Sequence, residues 1–356
     1  MHHTIPKGRH HEPDFYDPAN ATRWAYSPNA RVLQEVAREY ARQYGIKNAV
    51  TDRRRVLLLA IDNQRDFSFP EGTLYVGGRS GTGAMDDQRR LVEFVYREMG
   101  NITSFVPTMD THQAFQIFTP SFWLDQDGQN LQPHDMIDGD LQVIRGGSPT
   151  GQKARLNAAI ARELVGSDNL PWLQKYVAHY VAELARKGYY MLYIWPEHCV
   201  LGSDGHVLSG VVQEARMFHA YVRNSQNQPQ VKGGNPFAEN YSVFSPEVLT
   251  DHEGKARLEK NTGFINLLLQ FDAVVVAGQA SSHCVMSSIR DLLGAISMKD
   301  PSLAKKVYIL RDCTSAVVVP GVVDYTDAAQ KAFDEFADAG MNLVLSTDPM
   351  DSWLKV

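Results

Sequence analysis

Apolar stretches in this chain are short, and they alternate with segments of helical period. VLLLAI at Val56–Ile61 has no polar alternation, the pattern of a strand covered by helices on both faces. Similar runs at Ile102–Thr108, Tyr189–Ile194, Ala273–Ala277, Lys306–Leu310 and Asn342–Leu345 predict further strands. Between them the period lengthens. In Asp86–Met99, Leu91, Val95 and Met99 recur at i, i+4, i+8 among charged neighbours, as one face of a helix requires. Thr326–Ala339 reads as a second helix, with Thr326 as its N-cap and Gly340 as its stop. CVMSSIRDLLGAIS, opening at Cys284, reads as a third. This alternation predicts an α/β fold built on a parallel sheet.

Two regions break the rhythm. Residues 1–50 begin polar and then run into a predicted helix, Ala30–Tyr44. Residues 113–188 open with the turn-rich DQDGQNLQPHDMIDGD and continue into helical patterns at about 152–164 and 171–187. DQDG lacks the spacing and closing glutamate of a calcium loop and reads as a solvated turn. With 356 residues, two domains is the arithmetic expectation. The placement of the chemistry favours an N-terminal arm (1–50) and one elaborated domain (51–356) with an insertion at 113–188.

Composition narrows the function. The formal net charge of −6 argues against a nucleic-acid partner or an anionic membrane surface, and no apolar run approaches membrane-spanning length. The N-terminus lacks an apolar signal region, so a cytoplasmic protein is expected. Cys199, Cys284 and Cys313 form no CxxC pair, so a cysteine that matters acts as a thiol. His2, His3, His10 and His11 read as an unstructured tail rather than a metal site.

In a parallel sheet, ligands bind beyond the carboxyl ends of the strands. There the chain places Asp62 after VLLLAI, Asp110 and His112 after ITSFVPTM, His198 after YYMLYIWPE, and Cys284 after AVVVAG. Lys232 follows QPQV, a weaker strand candidate. A thiol becomes a nucleophile when a base takes its proton and a cation stabilises the thiolate. Asp62 and Lys232 supply those functions for Cys284, aided by the N-terminus of its helix. Gly278, Ala280, Ser281 and Ser282 can form a tight turn whose backbone N–H groups make an oxyanion hole. Asp110, His112 and His198 suit a divalent transition metal with open positions. His283 neighbours Cys284, but adjacent residues at a helix start point apart, so it reads as structural.

These motifs resemble the nicotinamidase/pyrazinamidase branch of the isochorismatase-like cysteine hydrolases. LLLAIDNQRDFSFPEGTLYVGG, WPEHCVLGSDG, VKGGNPFAENYSVF and GQASSHCV look like that family's opening strand, metal-loop, lysine and nucleophile segments, with Asp291 at its acidic position. The resemblance implies a three-layer α/β/α fold with a mostly parallel central sheet. It also implies conversion of nicotinamide or a close heteroaromatic carboxamide to the acid and ammonia through a thioester, as in pyridine nucleotide salvage. Cys284 becomes the nucleophile, Asp62 the base and acid, and Lys232 the third member. A cis peptide at Gln279–Ala280 would present the N–H groups of Ala280 and Cys284 to the oxyanion. Phe67 and Trp195 become walls for a flat ring, and Asp110, His112 and His198 the ligands of zinc, or of iron or manganese. The chain departs from the pattern with DTHQ where DWHP is usual, and with Ser282-His283 before the nucleophile. Hydrolysis of another small amide, metal-water hydrolysis with Cys284 a bystander, and a non-catalytic binding protein on this fold stay open, as does a homo-oligomer.

Overall fold

The structure, a computed structural model, describes residues 10–187 and 190–354. Six strands form the main sheet: β1 (Val56–Ile61), β2 (Ser104–Asp110), β3 (Gln230–Lys232), β4 (Ala273–Gly278), β5 (Val307–Leu310) and β6 (Asn342–Val344). They lie in the order β6-β5-β4-β1-β2-β3, and every neighbouring pair is parallel. Helices α1 (Ala30–Tyr44), α2 (Gly83–Arg97), α3 (Gly210–Arg223), α4 (Cys284–Lys299) and α5 (Thr326–Asp338) cover its two faces.

The period of two within β1 divides the interior into two cores. Val56, Leu58 and Ala60 pack with residues of α1, α2 and α3. Leu57, Leu59 and Ile61 pack with residues of α4 and α5. All six strand residues are buried, so the uninterrupted apolar run reflects helices on both sides. The result is a three-layer α/β/α arrangement around a parallel sheet. Strand order reverses at β1: the chain builds outward through β2 and β3, then returns to add β4 on the other side. Such a switch opens a crevice at the strands' carboxyl ends, and here it lies between Asp62 and the β4–α4 turn.

Several expectations need correction. The aromatic run predicted as a main-sheet strand at Tyr189–Ile194 forms only a two-residue strand, Leu192–Tyr193, while Tyr189 lies outside the described residues. That strand pairs antiparallel with Met136–Ile137 in a separate four-stranded sheet, because the edge beside β2 is occupied by polar Gln230–Lys232. The helix expected from 152 starts at Ala158. Residues up to Leu156 are spent in strands, and the Asn157 side chain accepts from Ala159 N–H as the N-cap. Thr326 is the first residue of α5 rather than its cap, since Asp324 Oδ1 accepts from its N–H at 2.9 Å. Gly340 follows α5 with φ +97°, the left-handed conformation a helix stop uses.

The histidine tail also differs from expectation where it is described. His10 N–H donates to Arg97 O at 2.9 Å, and its ring meets Tyr44 edge-on; His2 and His3 lie outside the described residues. The arm docks through Phe15 against Phe218 and Tyr40 O–H on His11 O. The DQDG stretch is a turn in which Asp125 Oδ1 accepts from Asp127 and Gln129 N–H. Among the described residues no helix is long and apolar enough to cross a membrane.

Candidate active site

The site grows from the ends of four neighbouring strands. Asp62 follows β1 with φ +46°, and Thr108 on β2 holds it twice: its Oγ1 accepts from Asp62 N–H at 3.0 Å and donates to Asp62 Oδ1 at 2.5 Å. β4 closes with Gly278, opposite Ile61. A Cβ there would stand 2.0 Å from Ile61 O, so only glycine permits this approach. Gln279 N–H then donates to Ile61 O at 2.7 Å, its side chain to Asp87 Oδ2 on α2 at 2.9 Å, and the Gln279–Ala280 peptide is cis. The turn delivers Cys284 as the first residue of α4.

Lys232 ends β3 in register with Asp110 of β2. Its Nζ lies 3.0 Å from Asp62 Oδ2 and 2.9 Å from Asp110 Oδ1. The same nitrogen donates to Asn240 O at 2.9 Å and to Cys284 Sγ at 3.7 Å. Asp62, Asp110 and Cys284 each offer a ligand atom within 4.8 Å of the others. Gly233 makes the crowding possible, for a Cβ there would meet Asp110 Oδ1 at 2.5 Å and His112 Cε1 at 2.7 Å.

Burial sets the resting protonation. It pushes the Cys284 thiol well above its ordinary range, against the opposing pull of Lys232. Burial thus opposes the thiolate that Lys232 and the helix N-terminus favour. Burial also raises the Asp62 carboxyl, partly offset by Lys232. Burial alone would lower the Lys232 ammonium, but Asp110 and Asp62 hold it well above its usual value, so it stays charged.

Asp110, His112 and His198 converge within 4.8 Å and are all buried. His112 Nε2 lies 2.9 Å from Asp110 Oδ2, and His198 Nε2 lies 3.9 Å from the same oxygen. The far nitrogens are engaged, His112 Nδ1 with Gly233 O at 3.1 Å and His198 Nδ1 with Pro196 O at 2.7 Å. That bonding leaves both Nε2 lone pairs aimed inward. His112 Nε2 is buried without a hydrogen-bond partner. One carboxylate oxygen and two inward imidazoles fit a divalent transition metal.

Asp110, His198 and Cys284 line a small pocket together with Phe67, Leu74, Trp195, Tyr241, Ala280 and Val317. Phe67 lies edge-on to His198, and Trp195 Nε1–H donates to Tyr241 OH at 2.8 Å. Asp62, Lys232 and Cys284 thus lie beside Asp110, His112 and His198, with Phe67, Trp195 and Ala280 on the adjoining pocket wall. Several that sequence reasoning passed over also hold it together. Gln64 pairs with both backbone groups of Asp110 at 2.7 Å. Asp66 accepts from Cys199 N–H at 2.7 Å and so fixes the loop that carries His198. Glu239 lines the pocket, with its carboxyl pushed up to about 8 by burial. Gln64 and Asp66 sat inside the quoted opening segment and Glu239 inside the quoted VKGGNPFAENYSVF segment, so a signal existed for all three. Asp291 lies elsewhere, lining a separate cavity with Glu247.

The segment after His112 packs against the Asp110/His112/His198 cluster. Phe118 contacts both imidazole rings, and its carbonyl accepts from Trp195 N–H at 2.8 Å. Thr111 meets His206 Nε2 through its Oγ1 at 2.9 Å.

No protein-family model matches the sequence, and no curated protein matches it either. Solved structures do show similarity in chain path. An Acinetobacter baumanii nicotinamidase/pyrazinamidase is 16% identical, with 84% of this chain and 99% of that one covered at a TM-score of 0.47. The yeast nicotinamidase bound to the inhibitor nicotinaldehyde is also 16% identical, with 82% and 99% covered and a TM-score of 0.47. A Pyrococcus horikoshii pyrazinamidase in complex with zinc is 17% identical, with 82% and 99% covered and a TM-score of 0.41.

Proposed function

We propose that this protein is a cysteine amidohydrolase of the isochorismatase-like, nicotinamidase type, releasing ammonia from a small heteroaromatic carboxamide. The observation that carries the reading is Lys232 Nζ standing 3.0 Å from Asp62 Oδ2 and 3.7 Å from Cys284 Sγ, with Cys284 on the wall of a pocket that Asp110 and His198 also line. A base, a cation and a thiol in contact form a nucleophilic triad.

In this scheme Asp62 takes the Cys284 proton, and Lys232 favours the thiolate as it forms. Sulfur attacks the carboxamide carbon, forming the C–S bond. The N–H groups of Ala280 and Cys284 are assigned to the developing oxyanion. Asp62 returns the proton to the amine, the C–N bond breaks and ammonia leaves. Water then cleaves the thioester, with Asp62 again accepting a proton, to give the acid and restore the thiol. Asp110, His112 and His198 would hold the metal, zinc or else iron or manganese, which when bound supplies a Lewis-acidic anchor for a ring nitrogen. Phe67 and Trp195 flank the ring. A cytoplasmic role in pyridine nucleotide salvage follows from that substrate.

The test is ammonia release from nicotinamide, pyrazinamide and aliphatic amides, with metal content measured on the same preparation. Turnover of an aromatic carboxamide that is abolished by Cys284→Ala supports the reading. Metal-replete protein inert toward every aromatic carboxamide would overturn it. Activity that survives alkylation of Cys284 would instead mark metal-activated water as the nucleophile.

A further inference from the structure

Among the polar groups on the pocket wall that the mechanism leaves unused is an imidazole next to the nucleophile in sequence. His283 lines the pocket beside Cys284 and also lines the neighbouring pocket formed by Tyr193, Tyr241, Met286 and Tyr325. Its backbone N–H is tied to Ala280 O at 3.0 Å. Three aromatic rings clamp the imidazole: Trp195 at 5.3 Å, Tyr241 at 5.2 Å and Tyr325 at 4.9 Å between centroids. Its orientation is therefore set by packing on three sides.

The hydrogen bonding selects the tautomer. Ser282 Oγ accepts from Val317 N–H at 3.0 Å and lies 2.8 Å from His283 Nδ1. The serine hydroxyl proton has no other acceptor among the described residues, so it is satisfied by donating to Nδ1. The ring proton then sits on Nε2. Burial lowers the imidazole to about 4, which keeps the ring neutral with that single N–H. Nε2 makes no hydrogen bond among the described residues, yet it belongs to a ring that borders the pocket. A neutral donor fixed in place beside a nucleophile is a recognition element awaiting an acceptor.

We propose that His283 is a specificity-determining residue whose Nε2–H donates to an acceptor on the substrate's edge next to the scissile amide. This rests on the amidohydrolase reading. His283 shares the pocket wall with Ala280 and Cys284, the residues assigned to the oxyanion and the nucleophile, so the acceptor it meets lies at the carboxamide end of the ring. A diazine carboxamide with a ring nitrogen beside the amide offers that acceptor. Pyridine-3-carboxamide does not.

The test compares kcat/KM for pyrazinecarboxamide and pyridine-3-carboxamide in the wild type, His283→Phe and His283→Gln, with thermal melts to confirm folding. The ratio of the two values should favour the diazine in the wild type and fall about tenfold in His283→Phe, the scale of one lost hydrogen bond. His283→Gln, which keeps a donor, should recover part of it. An unchanged ratio in His283→Phe, even where both activities drop together, would overturn the inference and leave His283 a packing residue. Wild-type protein inert toward both substrates would instead overturn the amidohydrolase reading, and this inference with it.

Discussion

Lys232 Nζ stands 2.9 Å from Asp110 Oδ1, and this contact joins the proposed triad to the proposed metal cluster. Asp110 divides its two oxygens, one facing the ammonium and the other the imidazoles. The lysine thus offsets two buried carboxylates at once, Asp62 and Asp110. Lys232→Met should abolish hydrolysis and destabilise the fold by roughly 3–5 kcal/mol, the scale for breaking a buried ion pair. The penalty should shrink as pH falls and the stranded carboxylates take up protons, which urea unfolding at several pH values would reveal. Equal destabilisation at all pH values would contradict the ionic account.

Asp62 and Lys232 act in opposite directions on the thiol, Lys232 lowering the Cys284 pKa and Asp62 raising it. Asp62→Asn should therefore speed iodoacetamide modification of Cys284 near neutral pH. Loss of the general base should at the same time cut hydrolysis by about 10²–10⁴. Unchanged alkylation in this variant would show that Asp62 does not face the thiol as described.

The two imidazoles contribute unequally to the Asp110 contact, His112 Nε2 at 2.9 Å and His198 Nε2 at 3.9 Å. His112→Ala and His198→Ala should each lower bound metal, read by elemental analysis after dialysis against a chelator. Asp66→Ala should lower metal affinity about 10–100-fold through the loop that carries His198. Wild-type metal content in all three variants would remove the cluster as a metal site.

Glu247 gives a pH signature away from the site. Burial pushes its carboxyl from 4.5 up to about 7, so between those values the folded protein holds a proton that the unfolded chain has lost. This contribution is fully present below the unfolded value and is lost as pH rises toward 7, at no more than ~1.4 kcal/mol per pH unit. Glu247→Gln should flatten the unfolding curve over that window. An unchanged slope would show that another group carries it.

Much of the fold and site was legible because strand ends and chemistry coincide. VLLLAI announced its two covered faces by lacking alternation, and Asp62, Asp110, Lys232 and Cys284 each follow or end a strand whose run can be read directly. The aromatic run at 189–194 misled for the same reason that made it conspicuous. Bulky rings suit a strand but equally suit packing between a small sheet and a ligand wall, and only a polar edge strand, Gln230–Lys232, could reveal that the sheet position was already taken. Gln64, Asp66 and Glu239 went unread because their work lies in what their side chains reach, and reach is not written in spacing.

The linear chain by itself determined the alternating elements, the parallel sheet and the residue types gathered at its carboxyl edge, since periodicity and strand-end position are local properties. The tertiary structure decided which carboxylates the lysine shares, that burial disfavours the thiolate, and that His283 is clamped between Trp195, Tyr241 and Tyr325. Those depend on burial and on contacts between segments far apart in the chain, where removal from water sets the proton and packing sets the direction of a side chain.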